Sequence, residues 1–117
     1  MGEIRTEGYQ SLRDFIVTEW DYIELYDDTG SSVTRVSVSG DSRFQWQDLD
    51  GDNILQVYGE VSGTDSDIPL GTDLTYAALW DAASGGNQIT QLEKYATHPI
   101  NQAGDGMKLT HNVEVPL

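Results

Sequence analysis

The stretch that decides the fold is GTDLTYAALWDAASGGNQITQLEKY, residues 71–95. Its first part, Leu74 to Trp80, is apolar and aromatic, which is typical of a β-strand. The breaker Ser84-Gly85-Gly86-Asn87 follows, and the extended pattern resumes from Ile89 to Tyr95. Because two apolar runs are joined by a glycine-rich turn, this stretch predicts a β-hairpin.

The alternating pattern continues on both sides of this hairpin. Downstream, Met107 to Val115 alternates strictly and predicts a strand with one buried face that includes His111. Turn residues predict breaks at 27–30 and 48–53, and 63–71 is the longest polar loop. Upstream strands are predicted at Tyr22–Tyr26, Val33–Val38, Arg43–Gln47 and Ile54–Val61.

The N-terminal part follows a different period. Leu12, Phe15 and Ile16 are spaced as on one helix face, which predicts a helix from Thr6 to about Trp20. Its N-cap is either Thr6 or, if the helix begins later, a capping box formed by Ser11 and Asp14. Beyond Trp20 the period changes to two residues, and this change marks the end of the helix.

These patterns predict an all-β fold, an antiparallel β-sandwich or jelly-roll-like domain with a short N-terminal helix. The 117 residues are enough for one domain, 1–117, of which residues 1–20 form the N-terminal helical segment. The chain has no cysteine, so disulfides and thiolate metal sites are excluded. It has no apolar run of membrane-spanning length and no signal-peptide pattern. We therefore expect that the protein is made inside a cell and does not associate with a membrane.

The charge is strongly one-sided, with 20 acidic and 6 basic residues and a formal net charge of -14. A basic stripe for nucleic acid is absent, and a phosphate backbone would be repelled, so we expect no direct nucleic-acid binding. Acid excess with only two lysines, Lys94 and Lys108, favours adaptation to high salt, where charge repulsion is screened. An ordinary acidic protein is the alternative.

Three aspartates form a candidate calcium loop. Asp48, Asp50 and Asp52 occupy positions 1, 3 and 5 of a calcium-binding pattern, with Gly51 between them. Asn53 stands where an EF-hand needs glycine, and Gln56 stands where integrin-type loops carry an acid. The alternative is an Asp-Gly turn, and we predict no specific metal site here.

Catalytic signals are weak, and we predict that the protein is not an enzyme and has no cofactor. His98 precedes Pro99 in a predicted loop, and His111 is expected as a hydrogen-bonded histidine in the core or at an interface. No serine lies in a nucleophile elbow. The glycines at 85–86 and 104–106 lack the lysine and following helix of a phosphate-binding loop, so they predict turns.

Aromatic residues give the strongest signal for binding. The strands Tyr22–Tyr26 and Leu74–Trp80 are apolar on both faces, whereas an isolated sandwich buries only one face of each strand. Their second face is therefore expected to be covered at a subunit interface or under the N-terminal helix. We therefore predict that Tyr22, Tyr26, Tyr76 and Trp80 form an interface with another copy or a different protein. A homo-oligomer is expected.

A resemblance suggests the setting of that interface. Residues Leu70 to Val115 form a series of a strand, LWDAASGGN, a second strand, AGDG and a strand with an alternating pattern. This series resembles small all-β virion structural proteins of tailed viruses. With the acidic composition, it points to a virus of a haloarchaeon. The resemblance implies a capsid decoration protein of the virion, made in the host cytoplasm, with capsid or tail proteins as partners. A tail or connector component and a carbohydrate-binding or adhesion module stay open as alternatives.

Overall fold

A computed structural model of the chain describes residues 5–48 and 54–114. It confirms the all-β class with one short N-terminal helix. The elements are α1 (Thr6–Glu19), β1 (Tyr22–Asp27), β2 (Ser32–Ser37), β3 (Phe44–Asp48), β4 (Ile54–Ser62), β5 (Thr72–Trp80), β6 (Glu93–Ile100) and β7 (Gly106–Glu114). In the described ranges, no helix is long and apolar enough to cross a membrane.

The strands form two antiparallel sheets. The four-stranded sheet has the order β2-β1-β5-β6, and the three-stranded sheet has the order β3-β4-β7. Three sequential pairs, β1-β2, β3-β4 and β5-β6, are hairpins. The pairs β1-β5 and β4-β7 join segments far apart in the sequence. A single apolar core lies between the sheets, as the alternating pattern predicts for strands with one buried face.

The three-stranded sheet shows how sequence alternation builds this core. Leu55, Val57 and Val61 of β4 face inward and are almost fully buried. Gly59 lies in the same inward row, and the Phe44 ring occupies the space where a side chain would be. An added Cβ at this position would lie 2.0 Å from a ring carbon. The inward side of β7 carries Met107, Leu109, His111 and Val113, as predicted.

Helix α1 packs on the core through Ile16, Val17 and Trp20. Its other apolar residues, Leu12 and Phe15, remain 42% and 54% exposed. The helix bounds agree with the prediction, but both predicted caps are wrong. Arg5 occupies the N-cap position without a side-chain hydrogen bond. The helix is held by burial of one apolar side, so its N-terminus forms without a side-chain cap.

The β5-β6 hairpin departs from the prediction on its second side. Extended structure predicted from Ile89 begins as a strand only at Glu93 and continues to Ile100. The side-chain oxygen of Thr90 accepts the Leu79 N–H (2.9 Å), in place of a regular ladder bond between backbones. The placement of His98 and Pro99 in a loop is also wrong, since both lie in β6. Proline is tolerated there because β6 is an edge strand.

Candidate functional site

The four predicted interface aromatics lie together on one side of the four-stranded sheet. In β1, Ile23 and Leu25 point into the core, so the alternate residues Tyr22 and Tyr26 point away from it. We call the side of this sheet that faces away from the core the outer face.

Strand register completes the arrangement. In β5, Ala77 and Leu79 belong to the core, which places Tyr76 and Trp80 on the outer face. Tyr22 lies opposite Trp80, and Tyr26 lies opposite Tyr76. Directly opposed side chains in antiparallel strands are close enough to touch. The two strands predicted to be apolar on both faces therefore present their aromatic residues as one group.

A buried ion pair lies within this group. The Arg35 Nε atom is 3.3 Å from Oε1 of Glu24, and the two side chains are only 12% and 8% exposed. Ser32 Oγ donates a hydrogen bond to the same carboxylate oxygen at 2.7 Å. Tyr26 OH donates to the other oxygen and accepts a hydrogen bond from Trp80 Nε1 at 2.8 Å. The Tyr26 and Trp80 side chains are thus fixed by a connected polar network.

The turn of the β5-β6 hairpin holds the arginine of this network. Arg35 Nη1 donates to the carbonyl oxygens of Ala82 at 3.1 Å and Gly85 at 2.8 Å. Gly85 and Gly86 have φ angles of 61° and 73°, a backbone region that favours glycine. The GG pair that identifies the hairpin in the sequence therefore also shapes the turn that binds Arg35.

Hydrogen bonding determines the charge state of the network. Burial opposes ionisation of Glu24, but hydrogen bonds from Tyr26, Ser32 and Arg35 outweigh it and hold the pKa of this carboxyl below its ordinary value. Burial and the adjacent Glu24 raise the pKa of Tyr26 to about 12. At neutral pH the network therefore holds a carboxylate, a guanidinium and a neutral phenol that are already bonded to one another. This arrangement favours recognition over proton transfer.

The Trp80 region does not provide the free aromatic platform that the adhesion alternative needs. The guanidinium of Arg35 lies 3.8 Å from the Trp80 ring centroid and occupies that ring face. Asp81 and Asn87, the adjacent polar residues, are bonded to each other by the Asn87 backbone N–H (2.7 Å) and Nδ2 (3.0 Å).

A second polar cluster surrounds His111 between the sheets. The imidazole is almost fully buried, with Nδ1 2.9 Å from Oε2 of Glu93 and 3.1 Å from the Tyr95 hydroxyl. Its Nε2 lies 3.0 Å from Oγ1 of Thr90. Burial lowers the pKa of His111, and the nearby Glu93 only partly opposes this. The histidine is therefore a hydrogen-bonded core residue, one of its two predicted placements.

Thr90, His111 and Glu93 follow the hydroxyl–imidazole–carboxylate order of a hydrolase triad. The hydroxyl is engaged, however, because Thr90 Oγ1 also accepts the Leu79 N–H. The cluster links Leu79 of the four-stranded sheet to His111 of the three-stranded sheet, which favours a structural role. Sequence reasoning missed Glu93 and Thr90. The sequence signal that could have identified Glu93 is its spacing, since its carboxylate lies two residues before Tyr95 on the inward side of an edge strand.

The metal candidates are only partly visible. Asp50 and Asp52 lie outside the described residues, and Asp48 is the last residue of β3. Within 5–48 and 54–114, no group of three or more histidines and acidic residues is arranged to hold a metal ion. The described partners of His111 do not include His98, whose Nδ1 lies beside the carbonyl oxygen of Ala96.

Comparison with known proteins gives no match among family models, curated proteins or solved structures. The resemblance to virion proteins therefore rests on the sequence pattern of residues 70–115.

Proposed function

We propose that the chain is a structural protein of a tailed-virus particle, most specifically a capsid decoration protein. It binds further copies of itself and other virion proteins through the outer face of the four-stranded sheet. One observation carries this proposal: Tyr22, Tyr26, Tyr76 and Trp80 share that face, where Tyr22, Tyr76 and Trp80 stay partly exposed, whereas Tyr26 is already buried within the chain, with 6% exposure. Tyrosine, tryptophan and arginine are the residues that contribute most at protein interfaces.

The rigidity of the outer face supports recognition. Arg35 and Trp80 are held by bonds within the chain, so their ordering does not have to be achieved on binding. Tyr22 and Tyr76 are half-buried, and their hydroxyls form no hydrogen bond within the described residues. These two tyrosines are therefore the contact residues that can be changed without cutting the network.

The charge distribution favours association through this face. Self-association of a chain with net charge -14 requires a contact surface without unpaired acidic groups. The outer face meets this requirement at its centre, because Arg35 neutralises Glu24. A closed ring or dimer is the expected form of self-association. The same contact would serve a tail or connector component, and the location in the particle distinguishes these alternatives.

The test combines particle composition with surface variants. Mass spectrometry of purified particles is expected to detect the chain. Recombinant protein is then added to particles that lack it, and incorporation is measured by co-sedimentation. Tyr22→Ala/Tyr76→Ala is expected to reduce incorporation about tenfold, equivalent to about 1.4 kcal/mol. The control Leu70→Ala removes an exposed apolar side chain elsewhere.

Incorporation of the tyrosine variant at the wild-type level would contradict the proposed contact face. Absence of the chain from purified particles would contradict the virion assignment itself. Circular dichroism of each variant establishes that the fold is retained before binding is compared.

A further inference from the structure

The solvent-facing side of the three-stranded sheet carries an unusual set of side chains. On this side, Gln45 of β3, Tyr58 of β4 and Thr110 of β7 form one row across the sheet. Gln47, Gln56 and Asn112 form the next row. We call these six residues the amide–tyrosine face. It lies on the opposite side of the molecule from the aromatic outer face.

The amide–tyrosine face is uncharged, although the chain carries 20 acidic residues. In the adjoining rows, Glu60 lies opposite Lys108 at one end and Ile54 lies opposite Glu114 at the other. Much of the surface of so acidic a chain presents carboxylates. These two rows instead present amides and hydroxyls, and they favour a neutral ligand because no charge has to be matched or desolvated.

The polar groups of this face are available for a ligand. Gln56 Nε2 donates to Asn112 Oδ1 at 2.9 Å, which aligns the two amides and leaves Gln56 Oε1 and Asn112 Nδ2 to the solvent. The side chains of Gln45, Tyr58 and Thr110 form no hydrogen bond within the described residues. Tyr58 lies between the other two in its row and is 38% exposed.

We propose that the amide–tyrosine face binds a neutral oligosaccharide. A sugar ring presents C–H groups on its faces and hydroxyls at its edge. The electron-rich face of a tyrosine attracts the C–H groups. Side-chain amides offer both a donor and an acceptor, which matches hydroxyls that also donate and accept. Tyr58 with Gln45 and Asn112 beside it supplies both kinds of contact.

The size of the face favours this ligand over a second protein. Strands are about 4.8 Å apart, and alternate residues repeat about every 7 Å, so the two rows span roughly 10 Å by 7 Å between Cα positions. A stable protein contact buries about 800 Å² on each partner. The amide–tyrosine face by itself is smaller than such a contact, whereas two or three sugar rings cover it. The proposal does not depend on a virion role.

Binding is tested with neutral hexasaccharides of glucose, mannose and N-acetylglucosamine, titrated into the full chain by NMR in about 1 M KCl. At least one probe is expected to bind and to shift the amide signals of Tyr58, Gln45 and Asn112. Tyr58→Ala is expected to weaken binding at least tenfold. Tyr58→Phe keeps the ring and is expected to stay within about threefold of wild type. Leu92→Ala, which changes another exposed apolar residue, is the control and is expected to bind normally.

Three results would overturn the proposal. In the first, none of the three probes binds. In the second, a probe binds but Tyr58→Ala and Leu92→Ala affect it equally. In the third, Tyr58→Ala changes the oligomeric state in sedimentation velocity, which assigns the face to a protein contact.

Discussion

The guanidinium of Arg35 lies 3.8 Å from the centroid of the Trp80 ring. Arg35 belongs to β2 and Trp80 to the end of β5, and these strands do not pair with each other. The contact therefore spans β1, whose Glu24 forms the ion pair with the same guanidinium. One arginine thus connects strands β1, β2 and β5 and the turn that follows β5, and it holds the Trp80 ring.

The Glu24–Arg35 pair is expected to contribute to stability well beyond a surface ion pair. Replacing Arg35 with methionine leaves the Glu24 carboxylate buried without its cation, which costs about 3 kcal/mol of unfolding free energy at pH 7. Chemical denaturation monitored by tryptophan fluorescence measures the change. Arg35→Lys is expected to recover only part of the loss, because lysine cannot bond the turn and the carboxylate with the same geometry.

The matched control is Arg5→Met, which removes a cation whose partner Glu7 is exposed. A change of about 0.5 kcal/mol or less is expected there. Equal effects of the two substitutions would show that the Glu24–Arg35 pair contributes no more than a surface contact.

His111 is expected to make stability depend on pH near neutrality. Its pKa in the folded chain is lowered, so the unfolded chain binds a proton first, near pH 6.5. Stability is then full above pH 6.5 and decreases as the pH falls through the folded-state pKa. Thermal unfolding between pH 7.5 and 5 measures this slope. His111→Gln is expected to flatten it and to lower stability at pH 7.5 by about 1–3 kcal/mol, because Glu93 loses a buried partner.

The control for this experiment is His98→Gln, which changes the other histidine and leaves the His111 cluster intact. An unchanged pH slope in His111→Gln would show that another group causes the acid sensitivity.

Gly59 is expected to tolerate no side chain. An added Cβ would lie 2.0 Å from a ring carbon of Phe44 and 2.9 Å from the Arg43 carbonyl oxygen. Gly59→Ala therefore displaces a core ring or the β3 backbone, at a cost of about 1–3 kcal/mol. Gly104→Ala is the matched control, since no atom lies within 4 Å of its added Cβ. Equal unfolding free energies of the two variants would contradict this account of the β3-β4 contact.

Salt is expected to stabilise the chain. Arg35 and Arg43 are paired with acidic groups, so they do little to offset the charge of the surface. Repulsion among the exposed acids is screened as the Debye length falls from about 10 Å at 0.1 M to about 3 Å at 1 M. The melting temperature is therefore expected to rise steeply between these concentrations of KCl.

Neutralising exposed acids tests the cause of this salt effect. The double variant Glu19→Gln/Asp28→Asn removes two exposed charges that lie outside the described ion pairs. It is expected to be more stable than wild type at low salt and to gain less from added salt. A flat salt response of the wild-type chain would leave its acidity without this explanation.

The four outer-face aromatics were identifiable as a group from the sequence because the strands that carry them are apolar at every position but one or two. Glu24 and Arg35 were not identifiable as partners. A single charged residue in a strand is normally interpreted as solvent-exposed, and only the register that places Glu24 opposite Arg35 shows that it is paired. The Thr90–His111–Glu93 contact was hidden for the same reason, since it joins residues of different sheets.

The sequence by itself determined the elements of this protein, apart from the bounds of β6. Side chains alternate between the two faces of a strand, so the period of apolar residues in β4, β5 and β7 specified both strand and buried side. Glycine and aspartate specified the turns through local backbone preferences. Only the tertiary structure decided which strands are neighbours, because pairs such as β1-β5 form between segments about 50 residues apart. No local backbone preference encodes a pairing between segments so far apart in the sequence. Both the aromatic outer face and the amide–tyrosine face arise from such pairings.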